Sequence, residues 1–341
     1  MVKKNTIKDV AKEAGVSIAT VSFVLNDTPG QAISDKVRKK VEAAAKKLDY
    51  HPSAAASGLA RKRTGNITIM FYRREDLISN HYYSFVVQGA VKEAMLQGFN
   101  LLFSYIDSEY LKNTALPKVV REKNTEGVIF IHEIEPRLVR DIESRGIPVV
   151  AVDNYPEMDD LAALSADDVQ GGRLAVSHLA ELGHTQVSVV FSAEDRPSIR
   201  GRLHGYREAA AEHGITLREV RCEELTFEAG YAETRKLLLQ RNRPTAIIGI
   251  NDEMAAGAIR AVHSLGLEVP DDVSIVGFDN IMMGNYTAPS LTTIGTDKEA
   301  LGARAVVRLA ELIKNKKSPR TQETLSVSLV ARDSTGNAPE R

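Results

Sequence analysis

The stretch TIKDVAKEAGVSIATVSFVLN, residues 6–26, predicts two short helices joined by a tight turn. Thr6 is a candidate N-cap, and Gly15 ends the first helix where its apolar periodicity stops. Ser17 can cap a second helix that begins almost at once. A helix, a glycine turn and a short second helix form a helix-turn-helix unit, which places its second helix in the major groove of DNA.

The outward face of the second helix decides between DNA binding and a plain three-helix packing module. If Val21 and Leu25 face inward, Phe23 lies on the opposite face, towards water, at 100° per residue. This face combines short hydrogen-bonding residues suited to phosphates with apolar residues suited to base edges such as the thymine methyl. The first group is Ser17, Thr20, Ser22 and Asn26, and the second is Ile18, Ala19 and Phe23. A third helix is expected from Ser34 to about Leu48.

Charge is distributed unevenly along the 341 residues. Residues 1–63 hold 13 Lys and Arg against 6 Asp and Glu, whereas the remainder holds 31 against 39. A small basic segment before a large acidic body is typical of a nucleic-acid-binding head on a regulatory body, although a solvated basic arm would look similar.

The composition limits the class of protein further. With 43% hydrophobic residues the chain can bury two or three domain cores. Cys222 is the single cysteine, so no internal disulfide or cysteine metal cluster can form, and a reducing compartment fits best. The first residues lack the apolar run of a signal peptide, and no stretch of about 18 apolar residues occurs. We therefore expect a cytoplasmic protein that does not enter a membrane.

From residue 66, short apolar runs alternate with amphipathic helices. The alternation predicts parallel sheets covered by helices on both faces, and two sets of runs predict two lobes. The first set is NITIMF, FNLLFSYI, GVIFI and PVVAV, and the second is QVSVVF, LREVR, AIIGI, SIVGF and LTTIG, with SVSLVARDS as the last strand.

Polar residues follow several of these runs. Ligands of open parallel sheets bind beyond the carboxyl ends of the strands, so two facing lobes form a cleft lined by these residues. They are Tyr72, Arg73, Arg74, Asp153, Asn154, Asn251, Asp252, Asp279 and Asn280. Each could instead be a cap or a surface loop residue, and Asp252 is expected to cap the helix that follows it.

The segments TIKDVAKEAGVSIATVS and YHPSAAASGLA resemble the head and hinge of the lactose and purine repressor family (LacI/GalR type). The blocks DDVQGGRLAVSHLAELGH, PTAIIGINDEMAAGAIRAV and VPDDVSIVGFDN extend the resemblance through the body. It implies an N-terminal all-α helix-turn-helix head in residues 1–51 and a hinge helix and linker in 52–64. Residues 65–341 would form a two-lobed, periplasmic-binding-protein-like α/β body for effector binding and dimerisation.

The resemblance also assigns site residues. The outward face of the second helix and the resemblance together predict as DNA contacts Thr6, Ser17, Ile18, Ala19, Thr20, Ser22, Phe23, Asn26, Ser34, Ala56 and Leu59. Ile18, Ala19 and Phe23 fall at base-reading positions, although the family more often has arginine or histidine in place of Phe23. Arg202, Asn251 and Asp279 fall where members of the family hold an effector, and the other predicted effector contacts, Tyr72, Arg73 and Asp153, follow predicted strands of the first set.

The hinge SAAASGLAR, residues 53–61, is too short to hold as an isolated helix in water. Gly58 weakens it by roughly 1 kcal/mol more. We expect it to become ordered when two copies meet in a bent minor groove, where Leu59 acts as an apolar wedge. A plain alanine-rich linker is the alternative.

These features favour an effector-controlled DNA-binding transcriptional regulator, a repressor that acts as a homodimer on a palindromic operator. An enzyme is disfavoured because no dinucleotide, P-loop or nucleophile-elbow motif occurs, and no cofactor or metal is expected because His178 and His184 lack metal-ligand spacing. The missing signal peptide and the head oppose an exported solute-binding protein. The regulated genes and the direction of the effector's action stay open.

Five arginines point to the effector's chemistry. They are Arg73, Arg74, Arg196, Arg200 and Arg202. Guanidinium groups around one cavity repel one another unless a bound anion or nearby carboxylates neutralise them. Asp153 and Asp279 supply only two negative charges. The sequence therefore predicts a sugar phosphate or sugar acid. A neutral sugar or nucleoside, with the outer arginines in solvent or paired to surface carboxylates, stays open.

Overall fold

The computed structural model describes residues 5–26, 30–52, 63–72, 80–106, 112, 116–132, 135–153, 158 and 160–340. Its contacts divide the chain into two compact units. One is Met1–Asn66 with Val119–Glu126, and the other is Ile67–Lys118 with Gly127–Arg341. The predicted domain boundaries near residues 51 and 64 stay predictions.

Three helices build the head, as the sequence predicts. They are α1 (Ile7–Ala14), α2 (Ile18–Leu25) and α3 (Asp35–Lys47). Thr6 and Asp9 form a reciprocal capping box at the start of α1, and Gly15 ends it in the left-handed region at φ 66°. The helices share a small core of Val10, Ala11, Ala14, Val21, Val24, Val41, Ala44 and Ala45.

The inward face of α2 differs from the predicted one. Val21 and Val24 are buried, at 0% and 4% exposure, whereas Leu25 lies at the edge of the core and is half-buried. Residues three apart are only about 60° apart around a helix, so both valines reach the same core. This rotation also buries Asn26, which is 6% exposed and hydrogen-bonds Ser22 through its amide nitrogen at 3.2 Å.

The first lobe of the body contains one six-stranded sheet. Its strand order is β11-β5-β4-β3-β1-β2, and the pairs β1/β3, β3/β4, β4/β5 and β5/β11 are parallel. The strands are β1 (Asn66–Tyr72), β2 (Asn100–Ile106), β3 (Gly127–Ile131), β4 (Val149–Val152), β5 (Ala162–Ala166) and β11 (Gln322–Leu325). The helices are α4 (His81–Leu96), α5 (Lys118–Arg121), α6 (Pro136–Glu143) and α11 (Lys298–Lys314).

The second lobe repeats this plan with strand order β12-β10-β9-β8-β6-β7. Its strands are β6 (Gln186–Ser192), β7 (Thr216–Cys222), β8 (Ala246–Gly249), β9 (Ser274–Asp279), β10 (Thr292–Thr296) and the antiparallel β12 (Val327–Val330). Its helices are α7 (Asp168–Glu181), α8 (Pro197–His213), α9 (Phe227–Leu238) and α10 (Asp252–Ser264), and a 3-10 turn covers Met282–Asn285.

The chain crosses between the lobes at three places. β5 belongs to the first sheet, but α7 packs into the second core. β10 belongs to the second sheet, but α11 packs into the first core. The third crossing joins β11 to β12. Asp168 and Lys298 are the first helical residues after the first two crossings, so each stands where one lobe passes to the other.

The two-lobed α/β fold is confirmed, and the nine predicted strands of the two sets are present. The predicted last strand is shorter than SVSLVARDS, since β12 ends at Val330. The structure adds β5 and β11, which sequence reasoning missed because Ser165 interrupts one apolar run and the other reads QETL. In the part of the chain that the structure describes, no helix is both long enough and apolar enough to span a bilayer.

Candidate functional site

A cavity of about 680 Å³ lies at the carboxyl ends of the strands of both lobes. The first lobe contributes residues from the start of α4 and from the ends of β3 and β4, and the second contributes the ends of β8 and β9 with the starts of α7, α8 and α10. The polar residues that matter most are Tyr82, Asp153, Asp168, Arg202, Asn251 and Asp279. This position is the one that parallel α/β sheets use for ligands.

Arg202, on α8, is the most connected side chain in the cavity wall. Its Nε donates to Asp168 at 2.8 Å, one terminal nitrogen donates to Asp279 at 2.9 Å, and the other donates to the Ile250 carbonyl at 2.6 Å. The guanidinium also stacks on the Phe278 ring, 3.6 Å from its centroid. Arg202 is therefore fixed by the protein itself before any ligand arrives.

Two glycines bring Arg202 to Asp168. A Cβ on Gly172 would overlap the Arg202 carbonyl oxygen, and one on Gly205 would overlap the Val169 carbonyl oxygen. The backbones of α7 and α8 therefore touch where these glycines meet the facing helix. The close approach sets the distance between Asp168, at the start of α7, and the guanidinium on α8.

The electrostatics of this group follow from burial and pairing. Burial raises the pKa of Asp168 to about 6, against the lowering effect of Arg202. Burial also raises the pKa of Asp279, opposed by Arg202 and Lys298. Desolvation alone would lower the pKa of Arg202, but Asp279 and Asp168 outweigh it and raise that pKa. The arginine stays charged at every physiological pH.

Asp153, at the end of β4, differs from the other two carboxylates. Burial raises its pKa to about 7, although Tyr82 acts to lower it. Its Oδ2 is buried without a hydrogen-bond partner. Its backbone has φ 62°, in the left-handed region that a non-glycine residue occupies only at some cost in free energy. Asp153 also lines the cavity, so the end of β4 places this carboxyl group in the cavity wall.

Lys298 stabilises the backbone at the Asp279 end of the cavity. Its ammonium donates to the carbonyl oxygens of Asp279 at 2.5 Å and Asn280 at 3.2 Å, two residues with φ 110° and 50°. The same ammonium lies 5.8 Å from the centroid of the Tyr82 ring in the first lobe. Lys298 therefore joins a strained peptide of one lobe to the wall of the other.

The helix-capping role expected of Asp252 belongs to Asn251 in the structure. Asn251 is the N-cap of α10, because its Oδ1 accepts from the Met254 amide at 2.9 Å, and it also lines the cavity. Asp252, expected to be the cap, is fully buried and accepts from Thr293 at 2.5 Å and from the Ile281 amide at 2.7 Å. A carboxylate so enclosed has no access to a ligand, and burial raises its pKa to about 7.

The outer arginines have carboxylate partners. Arg196 pairs with Glu194, and Arg200 pairs with Asp195. From the sequence we expect only two carboxylates to neutralise the arginines. This expectation is wrong, because Asp168, Glu194 and Asp195 also form ion pairs with arginines. Arg73, Arg74 and Asn154 lie outside the described residues, as does the side chain of Tyr72 at the end of β1.

On the head, the outer face of α2 is open to solvent where the sequence places base contacts. Ile18 is 44% exposed, Ala19 is exposed and Phe23 is half-buried. Ser17 caps α2 by accepting from the Thr20 amide at 3.0 Å, and its hydroxyl also meets the Thr20 hydroxyl at 2.8 Å. Thr6 and Ser34 are exposed N-cap residues, and Ser22 is half-buried. Asn26 is buried, which leaves its side chain little surface for a phosphate. Ala56 and Leu59 lie outside the described residues.

Comparison with known proteins places both parts of the chain in one family. Residues 6–53 match the model for bacterial regulatory proteins of the lacI family, and residues 176–335 match a periplasmic binding protein-like domain. The HTH-type transcriptional regulator DegA of Bacillus subtilis (strain 168) is 35% identical over 97% of this chain and 98% of its own length. The chain belongs to the lacI family of bacterial regulatory proteins.

Two further comparisons support this membership. The HTH-type transcriptional repressor PurR of Erwinia tasmaniensis is 33% identical, over 98% of both chains. A crystal structure of the Lac repressor dimer bound to operator and the anti-inducer ONPF superposes with a TM-score of 0.83 at 30% identity. That match covers 98% of this lacI-family chain and all of the other chain.

Sequence reasoning missed five residues around this cavity. Asp168 follows β5, and reading LAALSA as a strand would have drawn attention to it. Tyr82, Tyr83 and His132 gave no usable signal, because only the fold brings the start of α4 beside the end of β3. Lys298 carries a weak signal, because a lysine at the first position of a helix opposes the helix dipole.

Proposed function

We propose that this protein represses transcription by binding an operator as a homodimer, and that a small molecule in the cavity controls this binding. The observation that carries the proposal is the outer face of α2, where Ile18 and Ala19 are exposed and Phe23 is half-buried. An apolar surface on a three-helix head whose core is already filled suits base edges in a major groove. The Lac repressor structure, a dimer on operator DNA, supports the same arrangement for this chain.

The control step follows from differential binding. A ligand that contacts Asp153 in the first lobe and Asp279 in the second binds best when the lobes bring both together. Its binding free energy then favours that arrangement, and the operator affinity changes if the two arrangements differ in how they present the heads. The hinge assignment of residues 52–64 and the cytoplasmic location belong to this proposal.

Phe23→Ala tests the DNA-binding role. Operator sequences are first selected from random duplexes with the wild-type protein, and binding is followed by fluorescence anisotropy. The substitution removes a base-edge contact and no charge, so specific affinity should fall by about ten-fold while affinity for random DNA is unchanged. Lys47→Ala, which removes an exposed lysine paired with Glu13 on the head, is the matched control and should leave the ratio of the two affinities unchanged. An equal loss on both DNAs after Phe23→Ala would refute base reading by this face.

A further inference from the structure

The cavity walls carry more carboxylates than cations among the residues that the structure describes. The acidic lining residues are Asp153, Asp168, Glu194, Asp195, Glu224, Glu253 and Asp279, and the arginines are Arg196 and Arg202. Both arginines are committed to carboxylates of the protein, Arg202 to Asp168 and Asp279 and Arg196 to Glu194. The described wall therefore offers an anionic ligand no uncommitted cation.

Asp153 differs from Asp168 and Asp279 because it forms no ion pair with Arg202. None of the described ion pairs includes Asp153, and its Oδ2 lacks a hydrogen-bond partner. Burying an anion without a partner is unfavourable, and here burial is the main influence on the carboxyl group. A cation from outside would remove this cost, whereas a second anion would increase it.

Aromatic rings stand beside the same carboxylate. Tyr82 and Tyr83 meet edge to face with their centroids 5.1 Å apart, and the His132 ring lies 5.5 Å from Tyr83 in the same kind of contact. All three residues line the cavity together with Asp153, and Tyr82 is close enough to influence the Asp153 pKa. Ring faces attract cations through their quadrupoles, so rings around an unpaired carboxylate suit an alkylammonium group.

We propose that the effector is a polyhydroxylated amine whose ammonium group binds between Asp153 and the tyrosines of α4, while its hydroxyls bond to the Asp279 side of the cavity. The inference rests on the proposed function, since it names the ligand class of the same site. It differs from the sugar phosphate or sugar acid that the arginine count predicts from sequence, because that count omitted the carboxylates that pair with Arg196, Arg200 and Arg202.

Proton release gives this binding mode a signature. The charged groups that act on Asp153 are Asp168 and Arg202 of the helices α7 and α8, Asp279 of β9 and Lys298 of α11, and Tyr82 and His132 complete its surroundings. Because burial raises the Asp153 pKa to about 7, part of the Asp153 carboxyl population is protonated near neutral pH in the empty protein. A bound ammonium favours the carboxylate, so amine binding should release protons at this pH.

The test is calorimetry on the full chain with matched compounds at pH 7. D-glucosamine, D-galactosamine and D-mannosamine are each compared with their neutral sugars and the corresponding aldonic acids, in two buffers of different ionisation enthalpy. We expect at least one amine to bind roughly ten-fold or more tighter than its neutral and acidic counterparts, with proton release. Asp153→Asn should abolish both the preference and the proton release. Asp141→Asn, which alters an exposed carboxylate of α6 that is paired with Arg137 and does not line the cavity, should preserve them.

Three results would overturn the proposal. They are a neutral or acidic member that binds as tightly as its amine, an amine preference that survives Asp153→Asn, and the absence of binding by every amine at about 10 mM. Operator binding by the same preparations separates this failure from failure of the proposed function. A chain that binds operator without an amine preference refutes only the ligand class, whereas a chain that binds no selected DNA refutes the regulator itself.

Discussion

Lys298→Met removes a buried ammonium and keeps a side chain of similar length. Lys298 is 8% exposed and stands at the first position of α11, where the helix dipole disfavours a cation. Its position is maintained by the carbonyl oxygens of Asp279 and Asn280 and by the nearby carboxylates, which oppose the lowering of its pKa by burial. Removing it leaves the carbonyls of Asp279, Asn280 and Thr296 without this donor and the nearby acids without this cation.

The expected cost is about 3 kcal/mol of unfolding free energy at pH 8, since a hydrogen bond from a charged donor contributes about 1.5–3 kcal/mol and loss of one partner from a buried charged group about 3–5 kcal/mol. The cost should depend on pH. Burial already raises the pKa of Asp252 to about 7 and that of Asp279 above its usual range, and loss of the ammonium raises both further.

A carboxyl group with a raised pKa in the folded state destabilises the fold as pH rises from its unfolded to its folded pKa. The difference between variant and wild type should therefore grow from pH 5.5 to pH 8, by about 1 kcal/mol or more. Urea unfolding at both pH values, followed by far-ultraviolet circular dichroism, measures it.

Lys314→Met at the exposed end of the same helix is the control, and its effect should stay within about 1 kcal/mol at both pH values. An equal loss for Lys298→Met at the two pH values would show that the ammonium does not neutralise these acids. The structural account of Lys298 would then be refuted.

Two further predictions concern the helix pair and the hinge. Gly205→Ala should lower the unfolding free energy by about 2 kcal/mol, because its Cβ overlaps the Val169 carbonyl oxygen, and Ala211→Ser on the exposed face of the same helix should have little effect in the same urea assay. Leu59→Ala, in the segment outside the described residues, should reduce operator affinity and DNA bending together without changing thermal stability, as measured by a gel bending assay. Unchanged bending would contradict the wedge assignment.

The head was predictable from sequence because its determinants are local. Thr6, Gly15 and Ser17 act within one turn of their own helices, and the apolar spacing places the core almost correctly. Leu25 was misplaced because α2 is rotated by a fraction of a turn from the predicted orientation. This rotation depends on how the three helices pack together, which the sequence of one helix does not determine. The same rotation buried Asn26, which the sequence had placed on the outer face.

The cavity was predictable only in part, for a reason that lies in the topology. Asp153 and Asp279 end parallel strands, so the general rule for α/β sheets finds them. Asp168 and Lys298 begin helices immediately after the chain has crossed between lobes, and their positions depend on which strands pair over long range. The resemblance identified Arg202 as an effector contact, but in the structure Arg202 is paired with Asp168 and Asp279. The sequence did not show this pairing, because Asp168 follows the missed strand β5 and Asp279 lies on a distant strand.

The different bonding of Asp153 and of the Arg202 group bears on how occupancy of the cavity could reach the rest of the body. Arg202, Asp168 and Asp279 belong to the second lobe and are already bonded to one another, so a ligand gains little there by replacing these contacts. Asp153 belongs to the first lobe and has an unused acceptor, so a ligand donor gains most there. A ligand held by both groups spans the lobes, and its contact with Asp153 depends on their arrangement. The free energy available to shift that arrangement is then the difference in ligand affinity between the two arrangements, and removal of the Asp153 charge should reduce the shift more than it reduces binding to the second lobe.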